Sequence, residues 1–199
     1  LLQAGARRVL VIAGNDDGQR RTAAAFAERL QARGAQVAAR IDYADVPLAL
    51  PADANPDAVF LALRGNQARL LAPRLDAAGL AGKPRVASSQ VASGLGKAGE
   101  NLALDGIVHP TEAWEVQRVD GLPSATAAAA RTASARGPAA RLFAFGHDAW
   151  LATAYLERLA LDADANLQGA TGRLSLDGLG QVQRRPAWMR FSGGVAVPL

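Results

Sequence analysis

Apolar residues along this chain follow two rhythms. Residues 7–13 (RRVLVIA) form a short continuous apolar run, bounded by Gly5 and by Gly14-Asn15-Asp16-Asp17-Gly18. A run this short and this apolar predicts a strand buried on both faces, and the polar segment after it a turn. Over 19–33 the rhythm changes. Ala23, Phe26, Ala27 and Leu30 recur at spacings of three and four, with Arg20, Arg21, Glu28 and Arg29 elsewhere. That spacing predicts a helix with one apolar face, and Gly34 stands where a glycine ends such a helix. Residues 36–41 read as a second strand. A connection carrying Pro47, Pro51 and Pro56 leads to a third, 58–63 (AVFLAL). Asn66 is placed to cap a helix that carries Leu70, Leu71 and Leu75 as far as Gly79, bent at Pro73. Residues 85–88 and 106–108 are short strand candidates on either side of a Gly/Ser-rich segment, 88–99, expected to be a flexible loop.

Strands alternating with helices of this size predict an α/β fold with a parallel, doubly wound sheet. The second half reads differently. Residues 124–136 form an Ala-rich helix capped by Ser124 and ended by Gly137-Pro138. Residues 139–161 form one long amphipathic helix carrying Leu142, Phe143, Trp150, Leu151, Tyr155, Leu156 and Leu159. Two strand-like runs follow, 172–176 and 181–191, joined as a hairpin by Asp177-Gly178-Leu179-Gly180.

Composition narrows the classes. Of 199 residues, 50% are hydrophobic and 20% charged, which suits a packed core and argues against disorder. Cysteine is absent, which excludes a disulfide framework, zinc fingers, Fe–S ligation and thiol catalysis within this chain. No apolar run approaches the roughly 18 residues of a membrane span. The first residue is Leu1 rather than Met, so a targeting segment is expected to have been removed or to lie outside this sequence. The charge balance is 22 Lys+Arg against 18 Asp+Glu, and all the cations but Lys83 and Lys97 are arginine. Together with the excess of alanine, this reads as the codon bias of a GC-rich genome. Nucleic-acid binding would want a basic stripe with interleaved aromatics. The nearest stripe, Arg184-Arg185 through Arg190, is interrupted by Pro186, Ala187, Trp188 and Met189, and no nucleic-acid partner is expected.

Candidate chemistry is sparse. The Gly14–Gly18 segment lies where α/β sheets present ligands, but it has neither the Gly-Lys-Ser/Thr of a phosphate loop nor the three-glycine dinucleotide spacing. Its aspartates would repel phosphate. It reads as a solvated turn in which Asp16 or Asp17 complements the helix N-terminus. Ser88, Ser89 and Ser93 lack the nucleophile-elbow pattern, and Lys97 follows Ser93 by four residues rather than three. His109 and His147, the latter beside Asp148, match neither a zinc site nor a triad. No catalytic residue, cofactor or metal is therefore expected. For a ligand-binding role, Asp16, Asp17, Arg64, Asn66, Ser88 and Ser89 sit at strand ends, where a cleft would lie. Trp114, in a polar stretch, reads either as a partner-interface anchor or as a tryptophan packed between lobes.

The C-terminal third carries a resemblance. Phe145-Gly146-His147-Asp148-Ala149-Trp150 leads into a helix. It is followed by Leu167-Gln168-Gly169-Ala170-Thr171-Gly172-Arg173-Leu174-Ser175 and by Arg184-Arg185-Pro186-Ala187-Trp188-Met189-Arg190-Phe191. This resembles the end of the C-terminal domain of the LpoA (LppC) lipoproteins, the penicillin-binding protein activators. Their pattern there is a Gly-x-Asp-Ala-Trp helix, a Gly-x-Thr-Gly-x-Leu strand and a strand with Arg and Trp. The earlier strands resemble the second lobe of type I periplasmic binding proteins, the fold that family uses. The resemblance implies a non-catalytic regulator of peptidoglycan synthesis, contacting a class A penicillin-binding protein in the periplasm. A lipid anchor outside this chain would tether it to the outer membrane, and peptidoglycan itself is a further candidate partner. The other reading is a module sensing an amino acid or peptidoglycan fragment. The implied organisation is an α/β lobe at 1–116, helices of an incomplete first lobe at 117–165, and a β-hairpin at 166–199 returning to the α/β lobe. The long helix would then lack the sheet its apolar face normally covers.

Overall fold

The computed structural model describes residues 1–43, 50–51 and 53–199, so Pro47 of the first connection lies outside the described residues. In chain order the strands are β1 (Arg8–Ala13), β2 (Gln36–Asp42), β3 (Ala58–Ala62), β4 (Arg85–Ala87), β5 (Val108–Thr111), β6 (Leu167–Gln168), β7 (Arg173–Leu176), β8 (Val182–Arg185), β9 (Ala187–Ser192) and β10 (Val195–Pro198). The α-helices are α1 (Asp17–Ala32), α2 (Gly65–Leu75), α3 (Ala98–Asn101), α4 (Ala113–Val116), α5 (Ala125–Arg131), α6 (Gly137–Ala154) and α7 (Leu156–Leu161). Two compact units form. One is Leu1–His109 with Met189–Val197 and Leu199, and the other is Pro110–Trp188 with Pro198.

The first unit is built on a seven-stranded sheet of order β10-β9-β5-β4-β3-β1-β2. Its five strands from β2 to β5 are parallel, as the alternation of strands and helices predicts. Every residue of β3, and every residue of β1 after Arg8, is buried. The pleat divides them. Leu10, Ile12, Val59 and Leu61 pack with Ala68, Leu71 and Leu75 of α2, whereas Val9, Val11, Ala58 and Phe60 pack with Ala23, Phe26 and Leu30 of α1. Period-two alternation thus feeds two cores, one per face, which is why neither strand can carry a polar residue inside the sheet. Phe26 stacks on Phe60, with ring centroids 3.7 Å apart and planes 3° from parallel.

The second unit carries an antiparallel sheet of order β6-β7-β8. One of its apolar clusters gathers Trp114, Val119, Ala128, Ala135, Ala144 and Ala170; the other gathers Leu159, Ala165, Leu167 and Leu174. Among the described residues no helix is long and apolar enough to cross a membrane.

Several boundaries differ from the sequence reading, each for a physical reason. Helix α2 begins at Gly65 with Arg64 as its N-cap, so Asn66 lies inside the first turn. Residues 88–99 are not a loose loop. Val91 is fully buried within a 3₁₀ turn at Ser89–Ala92, and the segment runs on into helix α3 and a second turn at Leu102–Leu104, where Leu104 is also fully buried. The Ala-rich helix stops at Arg131, and Gly137-Pro138 open α6 instead of merely ending α5; proline suits a first turn because its missing N–H is unpaired there anyway. The long helix divides at Tyr155 (φ −116°, ψ 23°), and the turn of α7 delivers Leu159 to its apolar cluster. The last strand divides at Pro186, which cannot donate to a ladder: β8 stays with β7, and β9 joins the seven-stranded sheet. Along α6 and α7, Leu142, Trp150 and Leu161 are 74%, 64% and 80% exposed.

Candidate functional site

Of the strand-end residues singled out from sequence, all of which lie in the first unit, Asp16 and Arg64 meet. Asp16 caps α1: its Oδ1 accepts the Gln19 backbone N–H at 2.8 Å, and Gln19 Oε1 accepts the Asp16 N–H at 3.4 Å. This is a reciprocal capping box. Helix α2 starts in a related way, since Gln67 Oε1 accepts the Arg64 N–H at 3.0 Å. The two starts are joined twice. Gln19 Nε2 donates to Gln67 Oε1 at 2.6 Å, and Arg64 Nη2 donates to Asp16 Oδ2 at 3.1 Å. Gln19 is 1% exposed. It lies so close over Gly14 that a Cβ there would come within 1.8 Å of its Oε1.

Asp17 is not part of this ring. Its side chain is exposed and lies 3.9 Å from Arg20. Asn66 is also exposed, and its amide lies against Gly94. Ser88 is buried with an Oγ that has no hydrogen-bond partner among the described residues, and the same holds for Gln90 Oε1. Ser89 is half-buried in the following turn. Gln90 Nε2 reaches Thr22 of α1 at 3.4 Å, so this turn is braced against the helix that Asp16 caps. Gln19 and Gln67 were missed by the sequence reading; the signal for both was a glutamine three residues after an N-cap position.

In the second unit the motif residues converge on one carboxylate. Asp148, 5% exposed within α6, accepts the backbone N–H groups of Ala170 at 2.6 Å and Thr171 at 2.8 Å, and the Thr171 hydroxyl at 2.6 Å. His147 Nδ1 lies 3.2 Å from Oδ1, the oxygen that also accepts the Ala170 N–H. The Gly169–Thr171 segment therefore folds around a helix-borne anion. A Cβ on Gly169 would come within 2.5 Å of Asp148 Oδ1. Gly172, at φ +145°, brings its α-carbon so close to Arg185 that a Cβ would lie 2.2 Å from that carbonyl oxygen. The carboxylate thus holds a strand entry to a helix.

Around it, Arg141 Nε pairs with buried Glu112 at 2.8 Å, and the Arg184 guanidinium lies 5.2 Å from the Phe145 ring centroid. Burial holds Arg184 below the usual arginine range, with Glu112 opposing the shift. Trp114 is 3% exposed; its Nε1 donates to the Pro123 carbonyl at 2.7 Å, and its ring tilts against Phe143 at 5.2 Å. The proposed anchor is therefore interior, held by its one donor and by an aromatic neighbour, and offers no face to a partner as it stands. Among the described residues no group of three His, Asp or Glu converges as metal ligands would.

The family described as "LppC putative lipoprotein" matches residues 48–194, about three quarters of the chain, and so includes the Asp148 latch and both motif glycines. The chain belongs to the LppC family. Among solved structures, this LppC chain is similar to the C-domain of LpoA (YraM) from Haemophilus influenzae, there called a regulator of PBP1A. The identity is 22% and the TM-score 0.78, over all of this chain and 63% of that one. It is equally similar to full-length LpoA from the same organism, of which it spans 37%. The leucine-binding protein LivK from Thermotoga maritima is more distant, at 19% identity and a TM-score of 0.58 over 99% of this chain and 61% of that one. The chain thus spans less than two thirds of the length of these structures. Among curated protein sequences nothing matches. The likeness fixes the fold as that of the LpoA C-domain and of periplasmic-binding-protein-like neighbours, with a mostly parallel sheet and antiparallel strands near the C-terminus.

Proposed function

We propose that this chain is part of a non-catalytic regulator of peptidoglycan synthesis, which docks on a bifunctional class A penicillin-binding protein in the periplasm and favours its active state. The observation that carries the reading is membership of the LppC family over residues 48–194, joined to the fold shared with a regulator of PBP1A. Regulation by contact works through a coupling free energy between sites, of about 1–3 kcal/mol in typical cases. The Asp148 latch and the Asp16–Gln19–Gln67–Arg64 ring each tie separate segments of one unit together. In the full-length protein a lipid anchor outside this chain would tether the regulator to the inner face of the outer membrane, with peptidoglycan as a second neighbour. The α/β lobe at 1–116, the helices at 117–165 and the strands at 166–199 would then be one lobe and part of another. The exposed apolar side chains of α6 and α7 support that division. A pull-down of the cognate synthase, followed by a transpeptidation assay, tests the proposal: binding with stimulation is expected, and absence of both would sink it.

A second reading, a module sensing an amino acid or a peptidoglycan fragment, is favoured by the unpaired, buried Ser88 Oγ and Gln90 Oε1 near the end of β4. Calorimetric titration with amino acids and muropeptides separates the two, since saturable heat is expected only for the sensor.

A further inference from the structure

Pairing across the three-stranded sheet sets Gln168 opposite Arg173 and Arg173 opposite Arg185. Residues directly opposite in register share a face, so the side chains of both arginines and of Gln168 leave the sheet on one side. Like charges in directly opposed positions destabilise a sheet. Neither the Arg173 nor the Arg185 side chain has a hydrogen bond or ion pair among the described residues, although the side chains of Arg64, Arg69, Arg85 and Arg141 all do. The same face is concave. A pocket of about 230 Å³ is lined by Gln168, Gly172, Arg173 and Arg185, with Gln117, Ala113, Pro186 and Ala187 completing its wall, and it contains no acidic side chain. Its size lies below the roughly 300–1,000 Å³ of sites for drug-sized ligands. Gly172 is held to its backbone path by the Arg185 carbonyl, and Pro186 turns the chain out of the sheet at the pocket's edge, so the cations stand on a fixed frame.

We propose that this pocket binds a small dianion, phosphate or a short dicarboxylate, through the guanidinium groups of Arg173 and Arg185 and the amides of Gln117 and Gln168. Guanidinium geometry suits both oxyanions, and two cations match two negative charges. The site is lined by residues of the second unit alone and does not depend on the regulator or the sensor reading.

The test is titration of the full chain at low ionic strength with inorganic phosphate and, separately, glutarate, with sodium chloride at matched ionic strength as control. Binding is followed by ¹⁵N NMR of the arginine Nε and glutamine amide groups and by thermal melting. Saturable shifts at Arg173 and Arg185, with a rise in Tm, are expected for at least one of the two anions, and the arm that saturates names the chemistry. Arg173→Gln and Arg185→Gln should each weaken binding about tenfold or more, as loss of a charged hydrogen-bond partner does. Each should also raise Tm in the absence of anion, because the repulsion is relieved; Arg190→Gln should leave binding unchanged. Shifts that fail to saturate, that chloride reproduces, or that survive in both variants would overturn the proposal.

Discussion

Gln19 donates through Nε2 to Gln67 Oε1 at 2.6 Å, joining the first turns of two helices 48 residues apart in sequence. Each glutamine also serves its own helix start, so one side-chain contact couples two caps. Helix α1 packs on one face of the parallel sheet and α2 on the other. The contact therefore bridges both layers at the ends of β1 and β3.

Replacing Gln19 by Ala should cost about 1–3 kcal/mol, because it removes a reciprocal cap and leaves buried polar groups short of a partner. Urea unfolding checks this as a lowered midpoint with an unchanged slope. In a double-mutant cycle with Gln67→Ala, the two losses should fall short of additivity by about 0.5 kcal/mol or more. Strict additivity would mean that the contact carries no coupling.

Asp148→Asn keeps the shape of the side chain but replaces one acceptor oxygen by a donor that faces N–H groups. With three short bonds arriving at a buried carboxylate, a loss of about 2–3 kcal/mol is expected. Hydrogen exchange at the Ala170 and Thr171 amides should accelerate more than exchange in β1 or β3. A variant as stable as the wild type would show that the latch is dispensable.

Much of the fold is legible in the sequence because its information is local. β1 and β3 betray themselves by unbroken apolar runs, and α1 by its three-and-four spacing and by Gly34. What the sequence reading misses is tertiary. Arg64 is not a residue type that marks an N-cap; it takes the position because Gln67 Oε1 accepts its N–H and is itself held by Gln19 of α1. No proline or glycine marks the break at Tyr155; it follows from where Leu159 has to pack. The Gly/Ser composition of 88–99 masks Val91, the fully buried side chain that anchors its first turn. Pro186 was a readable signal, and its consequence, one strand run divided between two sheets, follows from proline's missing donor. Of the candidate site residues, Asp16 and Arg64 do meet, Asp17 and Asn66 stand apart, and Trp114 is interior. Polarity and position can nominate such residues, but only packing assigns their neighbours.

Gly172→Ala should be far more damaging than Gly34→Ala. At Gly34 (φ +78°) a Cβ meets open space, and the cost is the left-handed backbone alone, about 1–2 kcal/mol. At Gly172 an unfavourable φ is combined with a collision against the Arg185 carbonyl, which as backbone cannot rotate away. A loss above about 3 kcal/mol is expected there, since backbone strain and overpacking coincide. Thermal melts of the two variants side by side decide the matter, and equal shifts would contradict the close approach.

Asp177 organises the β7–β8 turn. Its carboxylate accepts the backbone N–H groups of Gln181 and Leu179, each at 2.9 Å, and the Gln183 amide at 2.7 Å. The bond from Gln181, then that from Leu179, holds its pKa below the ordinary aspartate value. A depressed folded-state pKa means that the carboxylate's contribution is fully present above the unfolded value and is lost as pH falls through the folded one. A ¹³C titration should therefore find Asp177 protonating below the ordinary aspartate range, with the Leu179 and Gln181 amide signals shifting in the same step. In Asp177→Asn, that acid-linked step should vanish.

The exposed face of α6 and α7 gives the last expectation. Leu142, Trp150 and Leu161 already stand mostly in water, so polar replacement removes little buried area. Leu142→Gln and Trp150→Gln should each change stability by no more than about 0.5 kcal/mol, as for ordinary surface positions. Exposed apolar side chains of this size should also bind a hydrophobic dye and make the isolated chain associate as concentration rises. Dye fluorescence and light scattering should both fall in the double variant while its melting temperature holds. A marked drop in melting temperature would mean that these side chains are part of the core, and a dye-silent, monomeric wild type would mean that the face needs no cover.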